Sequence, residues 1–281
     1  MVFDDVFASK LEKECKIRRT HDFYLKDIPD EMVLIAKIHR KLPNCKAQAS
    51  FKLDWTAEQM QECALTFYKE LDMDLYHTIK ERACDVDNEI YISEPVDKGR
   101  GSSRVGFGKS HKRLMIEINP EDSVYGVLTF VHEFAHLLPI RAKKRKPSNL
   151  EYISEIESHF CELLMIDYLY ENGVIDDAER QNELNNFWKE FERDSAWMLQ
   201  ESCLIKKYKL SCPVTKESLN KIEKDSQNDK NHEVLMRRLM VMANGDNSGR
   251  VNHGMHAYKY VFGKLVAKEL YEDYQKDKKK L

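Results

Sequence analysis

His132-Glu133-Phe134-Ala135-His136 sets two imidazoles four residues apart, with a carboxylate beside the first. On a helix that spacing puts both histidines on one face, within reach of one metal ion. Glu133 then stands where it can take a proton from water activated by the metal. The chemistry implied is zinc-assisted hydrolysis, above all of a peptide bond. Five residues of this kind recur by chance in many proteins, so their setting carries the argument.

The motif lies in a long apolar stretch, Val124-Tyr-Gly-Val-Leu-Thr-Phe-Val131 before it and Leu137-Leu138 after it. Such a stretch suits a buried helix. Asn119-Pro120-Glu121-Asp122 predicts its start: an asparagine cap, a proline for the first turn, and acids at the positive end of the dipole. Histidine and glutamate inside such a helix are costly unless something binds them. A second helix is expected over residues 148–171, capped by Ser148 with Glu151 completing a capping box. Its apolar stripe is Ile153, Ile156, Phe160, Leu163 and Leu164. Glu155 lies beside that stripe as a third ligand, and Glu162, two turns on, can orient a ligand from behind. Two histidines and a glutamate leave one zinc position open, the catalytic arrangement. Glu157 is a rival ligand: two residues from Glu155, it faces a different side of the helix, so only one of the two can serve. His159 reads as a surface or supporting group. A helical histidine pair can also be a satisfied buried pair, and Glu133 with Glu155 weighs against that.

Glu155-Ile-Glu-Ser158-His-Phe160-Cys-Glu162 resembles the glutamate-helix signature of the thimet oligopeptidase and oligoendopeptidase F family, with a serine three residues after the ligand and a glutamate seven after it. Arg104-Val-Gly-Phe-Gly108, Met115-Ile-Glu-Ile-Asn119 and Leu128–His136 resemble that family's strand, strand and helix. His256-Ala-Tyr258-Lys-Tyr260-Val-Phe-Gly263 resembles its tyrosine-rich C-terminal segment. The likeness covers roughly residues 100–165 and 250–275.

The resemblance implies a zincin-like catalytic domain with zinc on His132, His136 and Glu155, and with Ser158 and Glu162 supporting them. It makes Tyr260 the leading donor to the oxyanion. His253 stands where the family usually has another tyrosine, so His253, His256 and Tyr258 stay in competition for the second donor. Backbone along Gly106, Phe107 and Gly108 is expected to hold an extended substrate, the glycines permitting close approach. Turn or bulge glycines are the equal alternative. Family members are much longer, and here only about 125 residues precede the motif helix. A more open cleft is therefore expected. The substrate is then a peptide or an extended protein segment. A selective protease of one protein target is the alternative, and a non-catalytic zinc-stabilised binding protein is a weaker one.

The rest of the chain reads as mostly helical with a small antiparallel sheet, an α+β class. Helices are expected over 30–41, over 56–83 from a Thr56 cap, over 176–206 and over 214–243. Met60, Cys63, Ala64, Phe67, Tyr68 and Leu71 supply the buried stripe of the second. Strands are expected over 89–93, 104–108 and 113–118. A helical segment, 1–85, is expected to pack on a catalytic domain, 86–281, as one continuous body. Residues 98–103 and 244–250 read as loops, and Gly254 as a hinge. The basic run Arg141–Pro147 and the lysine-rich end read as solvated segments.

Composition bounds the function classes. The 281 residues carry 33% charged side chains and a net charge of −3, which gives no basic field for nucleic acid. No apolar run is long enough for a membrane span. The N-terminus lacks a secretory pattern, and seven cysteines, an odd number without framework spacing, suggest reduced thiols. A cytoplasmic location is expected.

Overall fold

The computed structural model describes residues 3–19, 48–83, 89–95, 104–107, 114–138, 150–210, 213–244 and 257–278. In chain order the elements are α1 (Asp5–Arg19), α2 (Ala57–Leu71), α3 (Met73–Ala83), β1 (Glu89–Ile92), β2 (Arg104–Phe107), β3 (Leu114–Ile118), α4 (Val124–Ala135), α5 (Leu150–Glu171), α6 (Asp177–Ser202), α7 (Lys216–Ser226), α8 (His232–Asn244) and α9 (Ala257–Lys278). A π-helical turn, Cys203–Lys207, continues α6. The expected helix over 30–41, the loop at 98–103, the loop over 244–250 beyond its first residue (Asn244, which ends α8), the basic run and Gly254 lie outside the described residues. No described helix is long and apolar enough to cross a membrane.

The chain forms two compact units, each assembled from separated stretches. One takes Met1–Asn44 and Glu190–Phe262, the other Cys45–Lys189 and Gly263–Leu281. No boundary falls at the expected 85/86 division. In the first unit Leu11 of α1, Leu219 and Ile222 of α7, and Leu235 and Leu239 of α8 share a core with Phe3. The helix expected over 214–243 is two helices. Asp229 interrupts it, accepting the Asn231 N–H and the Tyr208 hydroxyl, so local side-chain bonds outcompete the helical ladder.

The second unit is built around α4. Val127, Phe130, Val131 and Phe134 are buried in it, with Phe130 and Phe134 edge to face at 5.9 Å. Its start differs from the expectation. Asn119 and Pro120 continue the chain past β3, and the N-cap is Ser123, whose side chain makes no capping bond. The orphan N–H groups are met from elsewhere: Val124 donates to the Phe51 carbonyl at 2.8 Å and Tyr125 to the Ser50 hydroxyl at 3.0 Å. Ser50 and the Phe51 N–H in turn donate to Glu183 of α6.

The expected helix over 56–83 is also two. Thr56 is the N-cap, as expected, and Gln59 completes a capping box with it; Met60, Ala64, Phe67 and Tyr68 are buried. Leu71, expected in that stripe, is exposed. Asp72 is extended and accepts the N–H groups of Asp74 and Leu75, ending α2 and opening α3 at once. Tyr68 donates its hydroxyl to the Val131 carbonyl at 2.7 Å, one residue before the first motif histidine. Arg82 of α3 donates to the Leu137 carbonyl just beyond α4, where a cation suits the negative helix end.

The sheet is mixed, which corrects the antiparallel expectation. Its order is β1-β3-β2, with β2 antiparallel to β3 and β1 parallel to β3. Three successive strands alternate in direction, so the first and third run the same way. Once β2 takes the outer edge, β1 can pair with β3 only in parallel. Ile116 and Ile118 alternate to one face and are buried in the α4 core.

Candidate metal centre

Two helices supply the site. In α4, His132 and His136 are one turn apart and both half-buried, with Glu133 buried at 6% exposure. In α5, Glu155 is 2% exposed and Ser158 and His159 are buried. Nε2 of His132 and Nε2 of His136 are 3.0 Å apart. Glu155 Oε2 lies 3.6 Å from the first, and its Oε1 lies 3.9 Å from the second. Ligand atoms 2.0–2.1 Å from a tetrahedral zinc stand about 3.3 Å from one another. The three separations bracket that edge, so a zinc ion fits among these atoms with small adjustments.

The groups behind the ligands set their orientation. His132 Nδ1 stands 2.5 Å from Glu162 Oε1, which assigns the proton to Nδ1 and turns Nε2 toward the other ligands. Ser158 Oγ stands 3.2 Å from His136 Nδ1. Glu162 is shared: its Oε2 is 3.1 Å from His159 Nδ1. His159 Nε2 lies 3.9 Å from Glu155 Oε2. A second set of metal-competent groups, His132, His159 and Glu162, therefore overlaps the first. At 2.5 Å, His132 Nδ1 and Glu162 are at hydrogen-bond distance and well inside a ligand–ligand edge, so Glu162 serves there as a brace.

The charges follow from this packing. Burial would lower the His132 imidazole, but Glu162, with Glu155 and Glu133 behind it, holds it up at about 9. Burial would raise the Glu162 carboxyl, but His159 and His132 hold it well below the usual carboxylate range. Burial lowers His159 against the pull of Glu162, and Lys264 and His132 push it the same way as burial. Glu157 is in neither group of metal-competent side chains. Burial raises its carboxyl, and it acts electrostatically on Tyr68 and Cys161. Cys63, Cys161 and Cys203 are free thiols. Burial pushes Cys63 to about 11 and Cys161 to about 12, so neither is a thiolate nucleophile.

No protein-family model, curated protein or solved structure matches the chain.

Of the residues expected at the site, His132, His136, Glu155, Glu133, Ser158 and Glu162 come together. Gly106 and Phe107 lie in β2 opposite Met115 and Leu114 of β3. Gly108, His253 and His256 lie outside the described residues, and of Tyr258 only the helical backbone is described. Tyr260 is half-buried in the first turn of α9, with Lys259 Nζ 4.8 Å from its ring centroid, and belongs to the first unit. Of the two roles expected of His159, the structure has the supporting one: it is buried and its Nδ1 lies 3.1 Å from Glu162. Sequence reasoning passed over Lys264, a 2% exposed lysine whose Nζ is 5.8 Å from the Phe187 ring. A lysine between apolar neighbours, Gly263 and Leu265-Val266, was the signal available for it.

Proposed function

We propose that this protein is a zinc-dependent peptidase of zincin type, a relative of the thimet oligopeptidase and oligoendopeptidase F family, acting on peptides or extended protein segments in the cytoplasm. The observation that carries the reading is the convergence of His132 Nε2, His136 Nε2 and Glu155 within 3.9 Å, each histidine braced on its other nitrogen. A zinc ion in that position supplies Lewis acidity, polarising a carbonyl and making water a stronger nucleophile. His132, His136 and Glu155 hold it, and Glu162 and Ser158 keep the two imidazoles aimed.

Glu133 supplies the proton chemistry. It is the residue after His132 on α4, and its charge acts on the His132 ring. As general base it takes a proton from the attacking water, and as general acid it hands one to the leaving amine. A site that only bound metal would have no use for this carboxylate, which favours an enzyme over a zinc-stabilised binding protein. The role expected of Tyr260 rests on the resemblance alone.

Glu133→Gln keeps shape and removes the base. Zinc content should stay at one ion per chain while cleavage of a mixed peptide library falls by about three orders of magnitude, a loss within the range of general-base catalysis. Unchanged cleavage would overturn the mechanism. Wild-type protein without zinc would overturn the metal centre. The same library, run beside folded proteins, separates a broad peptidase from a protease of one protein target.

A further inference from the structure

The two metal-facing helices meet a third at one point. Gly263 of α9 is buried, and a Cβ placed on it would stand 2.9 Å from Glu155 Cβ, 3.1 Å from its carbonyl carbon and 3.2 Å from its carbonyl oxygen. Carbon atoms rest about 3.5–4.0 Å apart. The atoms in the way are the Cβ and backbone of the ligand residue itself, so no flexible side-chain end can swing aside. From Gly263 onward α9 follows α5. Ala267 packs with Leu163 and Phe187, and Tyr271 and Gln275 donate to Asp167, which also holds Arg180. Helix α9 is therefore held against α5 by the residues that follow this contact and cannot easily slide to make room.

We propose that Gly263 is a positioning residue of the metal centre: its missing side chain lets α9 seat against the Glu155 backbone and sets where that carboxylate meets His132 and His136. Lys264 beside it is also buried, with its Nζ 5.8 Å from the Phe187 ring centroid, and the Phe187 and His159 ring centroids are 5.9 Å apart. This inference rests on the zinc reading of the site.

Gly263→Ala tests it, with Ala267→Val as the control. The control adds bulk to the same helix interface one turn on and leaves Glu155 untouched. Zinc affinity is read by chelator competition, ligand geometry by the visible spectrum of the cobalt(II) protein, and fold by thermal melting of the metal-free chain. Gly263→Ala should lower zinc affinity by about tenfold to a hundredfold, the range that lost ligand support costs. It should also alter the cobalt bands. Ala267→Val should lower the melting temperature and leave affinity and bands as in the wild type. Equal behaviour of the two variants, or a Gly263→Ala protein with wild-type affinity and bands, overturns the inference while the zinc reading stands. A wild-type chain that takes up neither zinc nor cobalt overturns both. If Gly263→Ala does not fold, Gly263→Ala with Ala267→Gly returns one methyl of slack to the interface and is put through the same titration.

Discussion

Glu162 links two histidines behind the candidate ligand set. It accepts from His132 at 2.5 Å and pairs with His159 at 3.1 Å, so its loss frees one ligand ring and strips a buried histidine of its partner. Glu162→Ala should weaken zinc binding by about 10–100-fold. Glu157→Ala should leave it unchanged, because that carboxylate belongs to neither group of converging metal-competent side chains. Chelator competition on both variants decides it, and the reverse ranking would move the site to the other face of α5. The same geometry predicts a pH dependence. In the metal-free protein His132 is held at about 9, so at pH 7 it is protonated. Zinc takes only the neutral ring, so binding must release that proton. Affinity should therefore fall as pH drops below about 9. Calorimetry at pH 7 in buffers of different ionisation enthalpy should show a released proton, and buffer-independent heats would show His132 already neutral.

At the scale of elements, α4 is held to register by contacts the motif does not advertise. A Cβ on Gly126 would run into the Glu121 carbonyl oxygen and stand 2.9 Å from Met60 Sδ, so α4 can lie against α2 and its own lead-in only with glycine there. Gly126→Ala should destabilise the protein by about 1–3 kcal/mol through overpacking, against the small gain in helix propensity alanine brings elsewhere. Urea unfolding measures it, and a stabilised variant would mean the close approach is absent. The legible parts of these elements were the periodic ones: the stripe of α2, its Thr56 cap, and the apolar run of α4. What misled was local chemistry. Asn119-Pro120 looks like a helix start, yet Phe51 and Ser50 meet the N–H groups of a helix that begins at Val124. Asp72 and Asp229 each break a pattern that reads as continuous helix, because a short acidic side chain can take backbone N–H groups for itself.

For the whole molecule, the consequence is where stability resides. The ligands all lie in the second unit, joining α4 to α5, so zinc should stabilise that unit by mass action, about 4 kcal/mol at a thousandfold excess over Kd. Hydrogen exchange with and without zinc should show the gain in the amides of α4 and α5 and none in α1, α7 and α8. Uniform protection would mean the two units unfold as one. Their make-up was not legible in the chain. Each unit is assembled from stretches far apart in sequence, and the division depends on which apolar faces meet rather than on any linker or shift of composition.

Taken alone, the sequence offered a candidate donor set: two histidines one turn apart, a carboxylate between them, and a glutamate on a following helix, which the family resemblance made Glu155 with Ser158 and Glu162 behind it. Side-chain type and helical spacing suffice for the histidine pair and its carboxylate, since both are local. Only the tertiary structure decided what brings the donors to one point. The choice of Glu155 over Glu157 depends on which face of α5 meets α4. The partner shared by His132 and His159 depends on how deeply α5 packs. The seat of Gly263 against Glu155 joins residues more than a hundred positions apart. Contacts of that range are set by packing, in which every buried surface chooses its neighbour among all the others, and no periodicity in the chain records the choice.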